Sequence, residues 1–260
     1  MMNKLLGLLL IVLLSWPAVG EAARQTNGTN QSLQTASAID FGGATLVSIS
    51  VWLYWDAYAN DNDLALETNT FATGNPAEVQ LNPNSSAPSG VFLVNVNADV
   101  GNNSVTFTRP SAAAWHHYLI NIDIGHATQE VRSVYVDGSS VTLTGNQTNN
   151  NTQGFGSEVW YLMSRENTSL FGAGRIADLA FWSGINLSGT DATNLNGGTA
   201  PTSVESGSLV FYWKMCGDAS PEPYTTGGIN LTVNSATQVA HPSAIASFCS
   251  VRQTFIPGVY

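Results

Sequence analysis

Strict alternation of side chains recurs along the chain, and it constrains the fold more than any other feature. Ser48–Trp55 reads SISVWLYW, Gly90–Val96 reads GVFLVNV, and Trp115–Ile124 reads WHHYLINIDI. Ser104–Thr108, Glu130–Val136, Glu158–Met163, Gly174–Trp182, Ser208–Lys214 and Ile229–Val233 are built alike. Successive side chains of a strand point to opposite faces, so each of these runs has an apolar face and a second face of different character. Val, Ile, Phe, Tyr and Trp fill the runs, and Gly, Asn, Asp, Ser or Pro bound them. Many short strands separated by turns predict an all-β sandwich or barrel.

One segment departs from this pattern. Ser188–Gly198 reads SGTDATNLNGG. Ser188 followed by Asp191 is a variant capping box, and Gly197–Gly198 is a suitable stop. The spacing predicts one short helical turn near residues 188–197.

The first residues have a different purpose. Lys4 precedes Leu5–Leu14, a run with a single glycine among large apolar side chains, and Pro17, Ala18, Gly20 and Ala22 follow. This pattern describes a signal peptide over residues 1–22, cut after Gly20 or Ala22. The apolar run is too short to span a bilayer, which needs about 20 residues. The chain is expected to be exported, with residues 23–260 forming one domain. No later run is long and apolar enough to predict a transmembrane helix. Charged residues make up 10% of the chain, and the net charge is −10 with only eight Lys and Arg. That balance gives no electrostatic footprint for nucleic acid or an anionic membrane. Cys216 and Cys249 are the two cysteines. In an exported chain they are expected to form one disulfide, contributing about 3–4 kcal/mol.

The order of several motifs resembles that of laminin-G-like, concanavalin A-like lectin/glucanase domains. DFGGATLVSISVWLYW is similar to the opening strand of that group, and AWHHYLINID to its Trp-x-His strand, with Trp115 and His117 in the matching places. SVYVDGSSV resembles its hairpin, with Asp137–Gly138 as the turn, and GRIADLAFWSGINLSGTDATNL its strand and helical turn. GSLVFYWKMCGD resembles its late strand ending in Tyr-Trp. The resemblance spans roughly Ser37 to Val239. It implies a two-sheet antiparallel jelly roll of about a dozen strands. Its functions range over lectins, adhesion modules, calcium-dependent binders and glucanases, so the fold leaves function open.

A glucanase of this group carries Glu-x-Asp-x-x-Glu on one strand, and no such motif occurs in this chain. Glu158 and Glu166 are too far apart along the chain to replace it, and Glu67 and Glu78 lie in a poorly patterned region. No other hydrolase or nucleotide motif is present. His116 and His117 are adjacent, so strand geometry sends them to opposite faces, and a two-His metal site on one strand would need His-x-His. His117 is expected to pack beside Trp115, Leu119 and Asn121.

Calcium is the metal that the resemblance implies, bound by oxygen ligands in loops. Asn60, Asp61 and Asp63 form one candidate set, and Asp218 and Glu222 a second. Trp55, Trp160, Trp182 and Asn121 are the candidate ligand-binding residues, since flat rings stack on sugars and some must face away from the inter-sheet core. The leading expectation is a non-catalytic binding module for a glycan or other cell-surface ligand. The alternative is a structural or adhesive surface subunit held by protein contacts, and a third reading is a glycan hydrolase.

Overall fold

The computed structural model describes residues 21–245 except 59–61, 70, 72–75, 87, 147 and 217–219. Most of the expected signal segment, together with Asn60, Asp61, Asp218 and Cys249, lies outside the described residues. The first strands are β1 (Glu21–Asn27), β2 (Ser32–Thr35), β3 (Ile39–Ala44), β4 (Leu46–Trp55), β5 (Leu66–Thr68) and β6 (Glu78–Asn82). Next come β7 (Val91–Asn97), β8 (Asn102–Thr108), β9 (Trp115–Asp123), β10 (Val131–Val136), β11 (Ser139–Ser140) and β12 (Thr144–Asn146). β13 (Phe155–Glu158), β14 (Trp160–Leu162) and β15 (Ala173–Ser183) lead to the helix α1 (Gly189–Asn196). β16 (Leu209–Trp213), β17 (Leu231–Asn234) and β18 (Thr237–Ala240) follow.

The strands form two antiparallel eight-stranded sheets in a jelly-roll sandwich. The first has the order β11-β10-β9-β4-β15-β1-β18, with β16 also paired to β15. The second has the order β12-β8-β7-β6-β5-β14-β2-β17, and β13 and β3 form a small separate ribbon. Alternation decides what faces the space between the sheets. Val47, Ile49, Val51, Leu53 and Trp55 of β4 enter it beside Tyr118, Ile120 and Ile122 of β9. Val79, Leu81, Phe92, Val94 and Val96 meet them from the second sheet. Phe41, Phe155, Trp160 and Phe181 cluster there, with Trp160 and Phe181 ring centroids 4.6 Å apart at 68°.

The outer face of the first sheet is roofed. Leu119, Ala180, Trp182 and Tyr212 pack under Leu187, Ala192, Leu195 and Val204, which belong to α1 and its flanks. Trp52, Ala23 and Ala177 pack with Ile245 from the C-terminal region. Asn121 pins this roof. Its Nδ2 donates to the Leu187 carbonyl at 2.7 Å and to Ser133 Oγ at 2.9 Å, and its Oδ1 accepts from Ser48 Oγ at 2.6 Å and Leu187 N at 3.1 Å.

Local signals were mostly obeyed. Ser188 caps α1, and both halves of the Ser188–Asp191 capping box are made. The helix runs eight residues, about two turns, rather than the single turn expected. Asp137 and Gly138 both have positive φ, 51° and 77°, and join β10 to β11 as a type I′ hairpin turn. Eighteen strands occur among the described residues where about a dozen were expected. The extra ones are short or polar, as in EAARQTN, SLQT and EVQLN.

Candidate ligand-binding site

The second sheet has an outer face of a different kind. One row of laterally paired residues crosses it: Thr232, Gln34, Tyr161, Glu67, Gln80, Asn95 and Ser104. Every member is polar, while the alternate positions Leu33, Leu66, Val79, Leu81, Val94 and Val105 enter the core. In the middle of the row the side chains bond to one another. Asn95 Nδ2 donates to Gln80 Oε1 at 2.8 Å, and Gln80 Nε2 donates to Glu67 Oε1 at 2.7 Å. Arg165 grips the same carboxylate through Nε and Nη2 at 2.8–3.1 Å. Glu67 is fully buried, whereas the Arg165 side chain is 38% exposed. Burial, then the nearby Glu166 and Glu67 carboxylates, push the Tyr161 phenol up.

A cavity of about 430 Å³ opens above this network. Gln80, Asn82, Leu93 and Asn95 of β6 and β7 form its floor, and Asn62, Ser86, Arg165 and Leu170 are among its walls. The walls are tied to the floor. Asn82 Nδ2 donates to Asn62 Oδ1 at 3.1 Å, and Asn62 Nδ2 donates to Ser86 Oγ at 2.9 Å. The lining therefore offers amide and hydroxyl donors and acceptors beside leucine surface. Among the described residues of the lining the one cation is Arg165, which is matched by Glu67.

None of the four residues expected to touch ligand lines this cavity. Trp55 and Trp160 lie in the inter-sheet core, and Trp182 and Asn121 lie under the α1 roof. All four are buried. Parity does turn Trp182 away from the inter-sheet core, but a second apolar layer covers it, and Trp182 Nε1 donates to the Val204 carbonyl at 2.8 Å. The pocket residues were missed because Glu67 and Glu78 were read as unpatterned. The signal was present in Glu78–Asn82, where Val79 and Leu81 alternate with Glu78, Gln80 and Asn82.

The expected metal ligands fare differently. Glu222 is buried against Arg24, 2.5 Å from Nη2 and 2.9 Å from Nε. Asp63 is buried, and the Asn62 amide beside it is engaged with Ser86 and Asn82. Among the described residues no group of three His, Cys, Asp or Glu is placed to hold a metal ion. These donors do not fit a calcium site by themselves, and Asn60, Asp61 and Asp218 fall outside the described residues. The partner expected for Cys216, Cys249, falls outside them as well.

The adjacent histidines diverge as expected. His117 is fully buried beside Trp52, with Nε2 2.9 Å from Ser50 Oγ, and burial pushes it down to about 4. His116 sits with Nδ1 2.7 Å from Asp137 Oδ2 and Nε2 3.1 Å from the Ser111 carbonyl. The hydrogen bond to Asp137 raises its pKa against the opposing effect of burial. Both ring nitrogens of His116 face acceptors, an arrangement that only the imidazolium satisfies in full. The pair locks the approach to β9 and is remote in sequence and sheet from the cavity.

No helix among the described residues is long and apolar enough to cross a membrane. Comparison with curated protein sequences finds no match. Among solved structures, the chain is similar to a native heptameric SAP-like pentraxin from Limulus polyphemus, with 11% identity and a TM-score of 0.52 over 70% of this chain and 85% of that one. It is also similar to domain 4 of a GH43 extracellular arabinanase from Geobacillus stearothermophilus, solved in complex with arabinotriose. There the identity is 16% and the TM-score 0.48, over 67% of this chain and 76% of that one. A family model described as the concanavalin A-like lectin/glucanases superfamily matches residues 27–191. With the two-sheet sandwich, this match over more than half of its length makes the chain a member of the concanavalin A-like lectin/glucanases superfamily.

Proposed function

We propose that the chain is an exported, non-catalytic binding module whose cavity over β6 and β7 takes a neutral glycan. The observation that carries this reading is the bonded row Asn95, Gln80, Glu67 and Arg165 beneath a cavity of amides, hydroxyls and leucines. A sugar hydroxyl both donates and accepts, which suits an Asn or Gln side chain that does both. The C–H faces of a sugar ring suit Leu93 and Leu170, which also line the cavity. A neutral ligand suits a lining in which the one cation among the described residues, Arg165, is already paired.

Binding is favoured over hydrolysis by the state of the carboxylates. A glycosidase needs two carboxyl groups flanking the scissile bond, about 5–5.5 Å apart in retaining enzymes and about 6.5–9.5 Å in inverting ones. Glu67 and Glu78 do sit diagonally on β5 and β6, but both are fully buried and neither is among the described residues lining the cavity. The oxygens of Glu67 already accept from Arg165 and Gln80.

A glycan array with neutral and acidic polysaccharides, run with and without chelator, tests the proposal. Neutral oligosaccharides are expected to bind, and the Asn95→Ala variant to lose about tenfold in affinity, as for one hydrogen bond left unmade in a desolvated site. Silence across the array in both conditions overturns the reading. Binding lost on chelation adds a divalent cation to the reading. Sugar release from a bound oligosaccharide revives the hydrolase reading.

A further inference from the structure

The wall of the cavity that carries Arg165 is built against backbone preference. In loop 163–170, Met163, Glu166, Asn167 and Leu170 have φ of 60°, 50°, 57° and 48°. Half of this segment therefore lies in the left-handed region, and none of the four is glycine. Asn tolerates that region, whereas Met, Glu and Leu adopt it only where surrounding contacts impose it. Those contacts are present. The Arg165 carbonyl accepts from Thr168 N at 2.9 Å and from Ser169 N at 3.2 Å, and Arg165 N donates to the Ser169 carbonyl at 2.8 Å. The ends are held by Met163 N donating to the Ala65 carbonyl at 2.9 Å and Leu64 N donating to the Leu170 carbonyl at 3.0 Å. The apex is held by Asn167, which reaches β2. Its Nδ2 donates to Gln34 Oε1, and its Oδ1 accepts from Ser32 Oγ at 2.6 Å and from Ser164 Oγ at 3.3 Å.

We propose that loop 163–170 is a preorganised clamp for the cavity, in which Asn167 is a positioning residue that pins the loop to β2 and so fixes the Arg165 guanidinium at the wall. The inference rests on the glycan reading of the same cavity and adds what governs its affinity. A ligand meets a guanidinium already oriented by Glu67 and by a loop already ordered, so little further freedom is lost on binding. Occupied strained positions beside a pocket are the structural trace of that arrangement.

The Asn167→Gly variant removes the side-chain hydrogen bonds without steric strain at φ of 57°, and Asn167→Asp, which loses the Nδ2 donor to Gln34 without glycine's added backbone freedom, is read beside it and is expected to shift exchange and affinity in the same direction. Amide hydrogen exchange of the ligand-free protein is read first. Thr168 and Ser169 are expected to exchange at least tenfold faster in the variant, with the amides of β4 unchanged. Affinity is then measured against maltotriose, cellotriose, xylotriose and arabinotriose. For the best of the four, Asn167→Gly is expected to lose about tenfold, and adding it to Arg165→Ala is expected to cost nothing beyond Arg165→Ala alone. Unchanged exchange at Thr168 and Ser169, equal acceleration in β4, or losses that multiply in the double variant each overturn the clamp. If the unsubstituted protein binds none of the four sugars, the neutral-glycan reading fails, and the exchange result still decides whether the loop is pinned by Asn167.

Discussion

Glu222→Ala is expected to lower stability by about 3–5 kcal/mol, the usual cost of removing one partner from a buried ion pair. Arg24 and Glu222 are both almost fully buried and meet at 2.5 Å. Arg24 sits on β1, an interior strand of the first sheet between β15 and β18. Glu222 is bridged through its backbone to Leu231 at the start of β17, an edge strand of the second sheet. The pair therefore crosses from one sheet to the other, and its loss removes a carboxylate partner from a buried guanidinium. The paired change Arg24→Met with Glu222→Leu is expected to cost less, since both members of the ion pair are removed together. Urea midpoints of the three variants check this. Equal losses in Glu222→Ala and the paired variant contradict it.

Asp178→Asn is expected to stabilise the protein in alkali and to leave it unchanged in acid. Asp178 lies where β15 slips in register against β4 between Ala177 and Ala180, with φ of 52°. Tyr212 Oη donates to its Oδ1 at 2.5 Å. Burial pushes the carboxyl up to about 7, against the opposing effects of that hydrogen bond and of Lys214. A group whose pKa is raised on folding contributes stability that is complete below the unfolded value, near 3.8, and is lost as pH rises through about 7. At about 1.4 kcal/mol per pH unit, the gap between the two values implies an advantage for the asparagine of about 2–4 kcal/mol at pH 8.5, falling to nearly zero at pH 4. Asparagine keeps the acceptor for Tyr212 and does not titrate. His117 and His241, both pushed down to about 4 by burial, act in the opposite sense. Their contribution is complete above 6.5 and is lost as pH falls through about 4, and it cancels between the two proteins. Denaturation at pH 4, 6 and 8.5 reads the difference directly. An advantage that does not change with pH contradicts the assignment.

Strand parity was enough to identify most of the sandwich. SISVWLYW and WHHYLINIDI declare which residues enter the core, and the structure pairs them as β4 and β9 with Trp52 opposite His117. The Ser188 cap and the Asp137–Gly138 turn were legible because each depends on a few neighbouring residues. The candidate site was not legible. Its floor comes from β6 and β7, but Glu67 and Arg165 approach from segments 98 residues apart, and β5 is only three residues long. Parity also says which way a ring points and not what lies beyond it. Trp182 faces outward from the inter-sheet core and meets α1 and Val204, because residues 185–204 fold back as a second apolar layer. The polar outer face belongs to the other sheet, where Asn and Gln take the places expected of aromatic rings.

The most direct measurement is a calorimetric titration of a neutral oligosaccharide into the unsubstituted protein and into Leu93→Arg. Leu93 lies on the outer face of β7 and lines the cavity, so an arginine there fills the space without entering the core. The cavity-binding account predicts a saturable heat of binding in the first protein and none in the second, with similar melting temperatures. Equal binding by both proteins contradicts it.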